Sequence, residues 1–142
     1  MKVTESGIKG AYTIEPDVYI DDRGFFMETF HIERYRKLLG MNLDFVQDNI
    51  SRSSRNVLRG MHFQRNYPQG KIVKASRGEI LDVIVDLRKD SPTYGTWESF
   101  KLSEQNKLQV WIPPGFAHGF LVLSDSADFE YKCTEYYHPE DE

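Results

Sequence analysis

Short β-forming stretches separated by turn signals are the feature that most limits the folds open to this chain. From Phe45 onward they recur roughly every eight to twelve residues with turn signals between them, as in all-β sandwiches and barrels. The stretch from Glu79 to Leu87 shows the alternation of a strand most clearly. Its two faces carry Leu81, Val83, Val85 and Leu87 on one side and Ile80, Asp82, Ile84 and Asp86 on the other. The sequence therefore predicts two packed β-sheets.

One stretch departs from the strand pattern. Between His31 and Leu39 the apolar residues Ile32, Tyr35, Leu38 and Leu39 follow a helical period, and Gly40 is suited to end a helix. We expect a short helix packed on the outside of a sheet. The other predicted strands cover 11–20 with a turn at Pro16, and then 25–30, 57–64, 71–76, 97–102, 107–112, 119–123 and 128–134.

Composition narrows the class of protein. A chain of 142 residues fits one domain, so residues 1–142 are expected to form a single unit. The net charge of −4 argues against non-specific nucleic-acid binding, which needs a basic surface. Cys133 is the single cysteine, so no internal disulfide can form. The polar N-terminus and the lack of an apolar run of about 20 residues predict no signal peptide, no membrane span and a cytoplasmic location.

A histidine, an arginine and a lysine lie within the fourteen residues from Leu58 to Lys71. His62 is either a structural or surface histidine or a general base, since histidine can accept a proton near neutral pH. Arg59, three residues earlier, would point to the opposite face of a regular strand. Gly60 between them could host a bulge that re-aims one of the two side chains.

A metal site is a further alternative for His62. Metal-binding cupins carry a His-x-His pair on one strand with a Glu a few residues on, and a later Pro-x-Gly-x-x-His motif. In this chain Gln64 replaces the second histidine, whereas His118 completes the later motif in 113–118. Two histidines without a suitably spaced carboxylate form an incomplete ligand shell, so no bound metal is predicted.

Three more side chains have both a structural and a chemical interpretation. Lys71 is either a solvated edge lysine or a cation aimed into the barrel, where it could stabilise an oxyanion. Asp82 shares a mainly apolar strand face and therefore needs a partner, either Lys71 or a histidine. Tyr131, alternating with Phe129 and Cys133, is either a core aromatic residue or a phenol that gives a proton to a carbanion.

Seven longer segments carry a family resemblance along nearly the whole chain. They are 22–28, 45–53, 57–64, 69–71, 86–95, 111–120 and 131–134, and several are long enough to be specific. In this order they resemble the dTDP-4-dehydrorhamnose 3,5-epimerase family. The resemblance implies a cupin jelly roll, or double-stranded β-helix, and the helix expected near 31–39 from its spacing would lie at its periphery. It also implies an epimerase that needs neither a metal nor a redox cofactor, in agreement with Gln64.

The resemblance further implies a substrate and three catalytic roles. The substrate would be a dTDP-linked 4-keto-6-deoxyhexose on the route to dTDP-L-rhamnose, whose ketone acidifies the hydrogens at C3 and C5. His62 would remove these hydrogens as the base, and Lys71 would stabilise the enolate oxygen at C4. Tyr131 would return a proton from the opposite face, which inverts the centre.

Binding residues are carried over from the family where this sequence matches its motifs. The partner subunit of a homodimer would contribute three residues near the nucleotide, namely Arg23, Phe26 and Glu28. Within the same chain the expected contacts are Gln47 and Asn49 for sugar or phosphate, Arg59 for the diphosphate, His118 for the substrate, Tyr137 stacking on thymine, and Glu142 as a further binding position.

The sequence departs from the family pattern after Glu142. Family members continue through a segment that carries the Asp orienting the catalytic histidine, together with a basic substrate contact. We therefore expect the base to be weaker or to depend on another carboxylate, for which Asp82 is the nearest candidate. Two other functions stay open: an epimerase acting at C3 or C5 alone or on another nucleotide sugar, and a largely inactive sugar-nucleotide-binding cupin.

Overall fold

Antiparallel β-sheets make up most of the computed structural model, which describes residues 1–42 and 44–142. In chain order the strands are β1 (Lys2–Glu5), β2 (Tyr12–Glu15), β3 (Val18–Asp21), β4 (Gly24–Met27), β5 (Gln47–Ser54), β6 (Leu58–His62), β7 (Lys71–Arg77), β8 (Glu79–Asp86), β9 (Trp97–Ser103), β10 (Gln109–Ile112), β11 (Phe116–Val122) and β12 (Ser126–Cys133). The larger sheet has the order β1-β2-β10-β7-β12-β5, the smaller one β6-β11-β8-β9, and β3 and β4 form a separate hairpin. The predicted all-β double sheet is confirmed.

The main hydrophobic core lies between the two sheets. Ile80 and Ile84 of β8 are fully buried and belong to one apolar cluster with Val73 and Phe129 of the larger sheet. Burial of such a side chain contributes about 1.5–3 kcal/mol, so this cluster is the main source of stability. Asp82 and Asp86 lie on this same inward face of β8. The alternation in the sequence defined the two faces of the strand but not which of them is buried.

A second, smaller cluster lies under the helix α1 (Ile32–Leu39) on the larger sheet. Tyr35 and Leu39 are buried there with Trp111, whereas Leu38, expected on the same face, is exposed. Gly40 ends the helix in the left-handed conformation with φ 66°, as predicted. No helix among the described residues is long and apolar enough to cross a membrane. A short 3-10 helix, Pro139–Asp141, lies near the end of the chain.

Two differences from the predicted strands have clear physical reasons. β1 and β5 were not predicted individually because their sequences are polar. They form strands because they hydrogen-bond to β2 and β12, and this pairing cannot be seen in the local sequence. The strand predicted over 25–30 ends at Met27. Beyond it, the Thr29 carbonyl accepts hydrogen bonds from the side chains of Tyr35 and Gln109 instead of from a strand.

The predicted bulge at Gly60 is present. His62 pairs with His118 and Arg59 pairs with Phe120, so two residues of β6 lie opposite one residue of β11. Gly60 has φ 111°, and a Cβ atom there would lie 2.6 Å from the Cα of Gly119. Because of this bulge, Arg59 and His62 both line the cavity described below.

Replacing Gly60 with alanine is expected to destabilise the protein by about 3 kcal/mol, because positive φ and a backbone overlap act together. Gly24→Ala is the matched control, since Gly24 also has positive φ (128°) but no atom within 4 Å of the added Cβ. The control should lose about 1 kcal/mol. Urea unfolding measures both, and equal losses would show that the close approach to β11 is unimportant.

Candidate active site

A cavity of about 310 Å³ opens beside the inter-sheet core and collects most of the predicted site residues. A volume of this order is typical of a small-molecule site. The lining includes His62, Tyr131, Lys71, Gln47, Asn49, Arg59, His118, Tyr137 and Glu142. These residues are separated by up to 95 positions in the chain (142 − 47), and they meet because β5, β6, β7, β11 and β12 surround one space.

His62 is the last residue of β6, and its side chain is half exposed toward the cavity. Its Nδ1 contacts the Glu142 Oε1 carboxylate oxygen. If Nδ1–H donates to that carboxylate, Nε2 keeps its lone pair and is the nitrogen able to accept a proton. Glu142, rather than a residue of the core, is thus the carboxylate beside the candidate base.

The expected support of His62 by Asp82 is wrong. Asp82 is fully buried, and its Oδ1 lies 2.7 Å from Nε2 of His118. The strand order explains this pairing, because β11 lies between β6, which carries His62, and β8, which carries Asp82. Of the two partners that the sequence suggested for Asp82, a histidine is therefore the one found, and Lys71 is not its hydrogen-bond partner.

Lys71 begins β7 and lies at the cavity rather than at a solvated edge. Its Nζ is 5.6 Å from the centre of the Tyr131 ring. Burial lowers the pKa of Lys71, whereas the neighbouring Cys133, Glu142 and Asp82 act in the opposite direction. The ammonium group is therefore a partly desolvated cation beside the phenol, suited to attract a developing negative charge.

Tyr131 lies on β12 beside Phe129, with 5.4 Å between the two ring centres. Burial raises the pKa of its phenol, and the nearby Cys133 and Glu142 raise it further. The phenol consequently holds its proton through the neutral pH range and can act as a donor. Tyr131 belongs to the larger sheet and His62 to the smaller one, so the two groups reach the cavity from different sheets.

Other polar residues of the cavity are held by hydrogen bonds to their neighbours. Arg59 donates from Nε to the Ser53 hydroxyl at 2.9 Å. The Tyr137 backbone N–H donates to Gln47 at 3.0 Å, and its phenol donates to Glu142 at 2.8 Å. The hydrogen bond with Glu142 raises the pKa of Tyr137. Gln47 in turn donates to Asn49 at 3.1 Å, so these side chains are held before a ligand enters.

Gln64, which stands where metal-binding cupins carry the second histidine, makes three structural hydrogen bonds. Its amide nitrogen donates to the Tyr67 and Tyr136 carbonyls at 2.7 and 3.1 Å, and its oxygen accepts from the His138 N–H at 2.9 Å. These bonds tie the end of the chain to the loop after β6, which holds Tyr137 and Glu142 at the cavity. Within 1–42 and 44–142, no cluster of three or more His, Cys, Asp or Glu side chains is arranged to hold a metal ion.

Three predicted binding residues lie outside the cavity. Arg23 and Phe26 are on the exposed β3–β4 hairpin, where Arg23 contacts Asp21 and Phe26 is 71% exposed. Glu28 follows the hairpin and pairs with Arg34 at 3.0 Å. Within one chain, these side chains do not meet His62, Lys71 and Tyr131 around the cavity.

Several lining residues were missed by the sequence analysis. Ser51 follows Gln47 and Asn49 at the two-residue period of β5, a signal that could have found it. The other missed residues carry no titratable group, although Phe129 precedes Tyr131 at the same two-residue period. They are Phe63, Gln69, Gly115, Phe116, Gly119, Phe120 and Phe129, and Gln64 also contributes to the lining.

Comparison with known proteins gives a consistent result. A family model described as dTDP-4-dehydrorhamnose 3,5-epimerase matches residues 5–142. The protein of that name from Methanothermobacter thermautotrophicus is 57% identical over 136 residues, which are 96% of this chain and 73% of the relative. A crystal structure of dTDP-6-deoxy-D-glucose-3,5-epimerase from Legionella pneumophila, in complex with dTDP-4-keto-L-rhamnose, has a TM-score of 0.96 at 54% identity, covering 99% of this chain and 74% of that one.

A more distant structure extends the comparison. ChmJ, a 3′-monoepimerase from Streptomyces bikiniensis in complex with dTDP-quinovose, has a TM-score of 0.89 at 35% identity, covering 96% of this chain and 69% of that one. The fold, the cavity and these matches define a cupin-type epimerase, an enzyme of the isomerase class. The chain belongs to the dTDP-4-dehydrorhamnose 3,5-epimerase family, as its motifs predicted.

Proposed function

We propose that the chain epimerises a dTDP-linked 4-keto-6-deoxyhexose at C3 and C5 through an enolate intermediate. The observation that carries this proposal is the meeting of His62, Lys71 and Tyr131 at one cavity, with His62 and Tyr131 coming from different sheets. A sugar lying between them would meet the base on one face and the phenol on the other. Inversion requires that arrangement, because the proton must leave and return on opposite faces.

Each step of the proposed reaction has a residue suited to it. Nε2 of His62 removes a proton from the carbon next to the ketone, and the electron pair of the broken C–H bond moves toward the C4 oxygen to form the enolate. The Lys71 ammonium stabilises the resulting enolate in a site that is partly shielded from water. Tyr131 gives its phenolic proton to the other face of the carbon, and proton exchange with solvent then restores both side chains. No electrons leave the substrate, so the balance needs no oxidant.

Binding roles form the second part of the proposal. Arg59 would hold the diphosphate with its forked guanidinium, and Tyr137 would stack on thymine. The other proposed substrate contacts are Gln47, Asn49, His118 and Glu142. In a homodimer the exposed β3–β4 hairpin of one subunit would bring Arg23, Phe26 and Glu28 to the nucleotide of its partner. We also propose that residues 1–142 act as one catalytic domain. The cytoplasmic location stays a prediction.

The similarity to a 3′-monoepimerase supports a second candidate, epimerisation at one centre. The same base, cation and phenol suffice for one centre or for two, because the reaction is repeated on either side of the ketone. The difference would come from how far the sugar can turn within the cavity. We favour reaction at both centres because the relatives at 50–57% identity are named 3,5-epimerases.

NMR of dTDP-4-keto-6-deoxyglucose in deuterated water tests both candidates. We expect the intact protein to introduce deuterium at C3 and at C5, with inversion at both. Deuterium at only one carbon would establish an enzyme that acts at a single centre. If no deuterium entered although the nucleotide sugar still bound, the protein would be a binding protein and not an epimerase. A chelator serves as the metal control and should leave the rate unchanged.

A further inference from the structure

The inward face of β8 carries two fully buried carboxylates with different surroundings. Asp86 accepts hydrogen bonds from the Arg88 guanidinium at 2.9 and 2.8 Å and from the hydroxyls of Ser91 and Thr93 at 2.6 and 2.7 Å. Both of its oxygens are thus satisfied. A buried carboxylate with this many donors is explained by structure, since it joins the end of β8 to the turn that follows.

Asp82, four residues earlier on the same face, has a different environment. Its Oδ1 contacts Nε2 of His118 at 2.7 Å, whereas its Oδ2 is buried without a hydrogen-bond partner among the described residues. Burying a carboxylate that is only partly hydrogen-bonded costs stability. Stability therefore does not account for Asp82, and its position behind a cavity-lining histidine suggests a role in the reaction.

The contact with Asp82 determines which nitrogen of His118 a ligand can meet. A carboxylate accepts a hydrogen bond, so Nε2 carries a proton and Nδ1 is left for the ligand. The ring also stacks on Phe129, with 5.7 Å between ring centres, and His118 is only 5% exposed. Asp82 on one side and Phe129 on another thus hold the imidazole in one orientation at the wall of the cavity that Lys71 also lines.

We propose that His118 enters the reaction with both ring nitrogens protonated, and that Asp82 is a positioning residue. Asp82 holds the ring so that its Nδ1–H and the Lys71 ammonium together receive the enolate oxygen at C4. This inference rests on the proposed function. As the enolate forms, the ring lies between two negative charges, the Asp82 carboxylate and the C4 oxygen, and no proton has to reach it during the step. The C4 oxygen is common to reaction at C3 and at C5, so both exchanges depend on the same pair.

Asp82→Asn tests the proposal by separating rate from binding. We expect kcat for deuterium exchange to fall about 10- to 100-fold at both C3 and C5, while the affinity for dTDP, measured by calorimetry, is unchanged. Asp86→Asn is the matched control, because it removes the other buried carboxylate of the same strand. It should lower the melting temperature more than Asp82→Asn does, without changing kcat per folded protein.

A double-mutant cycle shows whether Asp82 acts through His118. His118→Asn should lower kcat by a similar factor, and adding Asp82→Asn to that variant should cause no further loss. Additive losses would overturn the proposal, as would an unchanged kcat in Asp82→Asn or a loss of dTDP affinity equal to the loss of rate. Absence of exchange in the unaltered protein would instead contradict the proposed function itself.

Discussion

Replacing His62 with asparagine is expected to lower deuterium exchange at both C3 and C5 by about 10³-fold, close to the background reaction. Asparagine has a similar size but cannot accept a proton, so the first step loses its base. The loss should be equal at the two carbons because the same His62 nitrogen is proposed to act at both, with the Glu142 carboxylate at the other ring nitrogen. Solvent-deuterium NMR under saturating substrate measures both rates at once.

His31→Asn is the control for the loss of a histidine. His31 caps α1 by accepting from the Arg34 N–H, a role that asparagine also fills well, and it lies outside the cavity. This variant should exchange deuterium at the normal rate. Exchange at an unchanged rate in His62→Asn would remove His62 as the base, whereas loss at only one carbon would require a separate base for the other.

Tyr131→Phe is expected to separate proton removal from inversion. His62 and Lys71 remain, so deuterium should still enter the substrate within about tenfold of the normal rate. Completed inversion should fall by roughly 10²-fold or more, since no proton donor remains on the opposite face. The deprotonated carbon would then be reprotonated from the side of His62, giving labelled substrate of unchanged configuration. NMR coupling constants and label content report the two quantities separately.

Tyr94→Phe provides the comparison, because Tyr94 is exposed and does not line the cavity. It should leave both exchange and inversion unchanged. If Tyr131→Phe slowed exchange and inversion by the same factor, Tyr131 would be acting on the first step or on binding, not as the donor that completes inversion. Its affinity for dTDP, compared with that of the unaltered protein, distinguishes these two outcomes.

Features that depend on neighbours in the chain could be predicted from the sequence. The helix with its Gly40 end followed from helical spacing, and the bulge at Gly60 followed from a glycine between Arg59 and His62. Strand β8 followed from its alternation. β5 was not separately recognised, because its polar residues become a strand through the ladder with β12 rather than through local preference.

The sequence by itself determined the all-β class, the family, and which residue types carry the candidate chemistry, since these depend on local order and on motifs. Only the tertiary structure decided which carboxylate meets which histidine. β11 lies between β6 and β8, so Asp82 reaches His118, and Glu142 reaches His62 because Gln64 ties the chain end to the loop after β6. Contacts between neighbouring strands, and with the segment that follows the last strand, depend on strand order and burial, which spacing along the chain does not record.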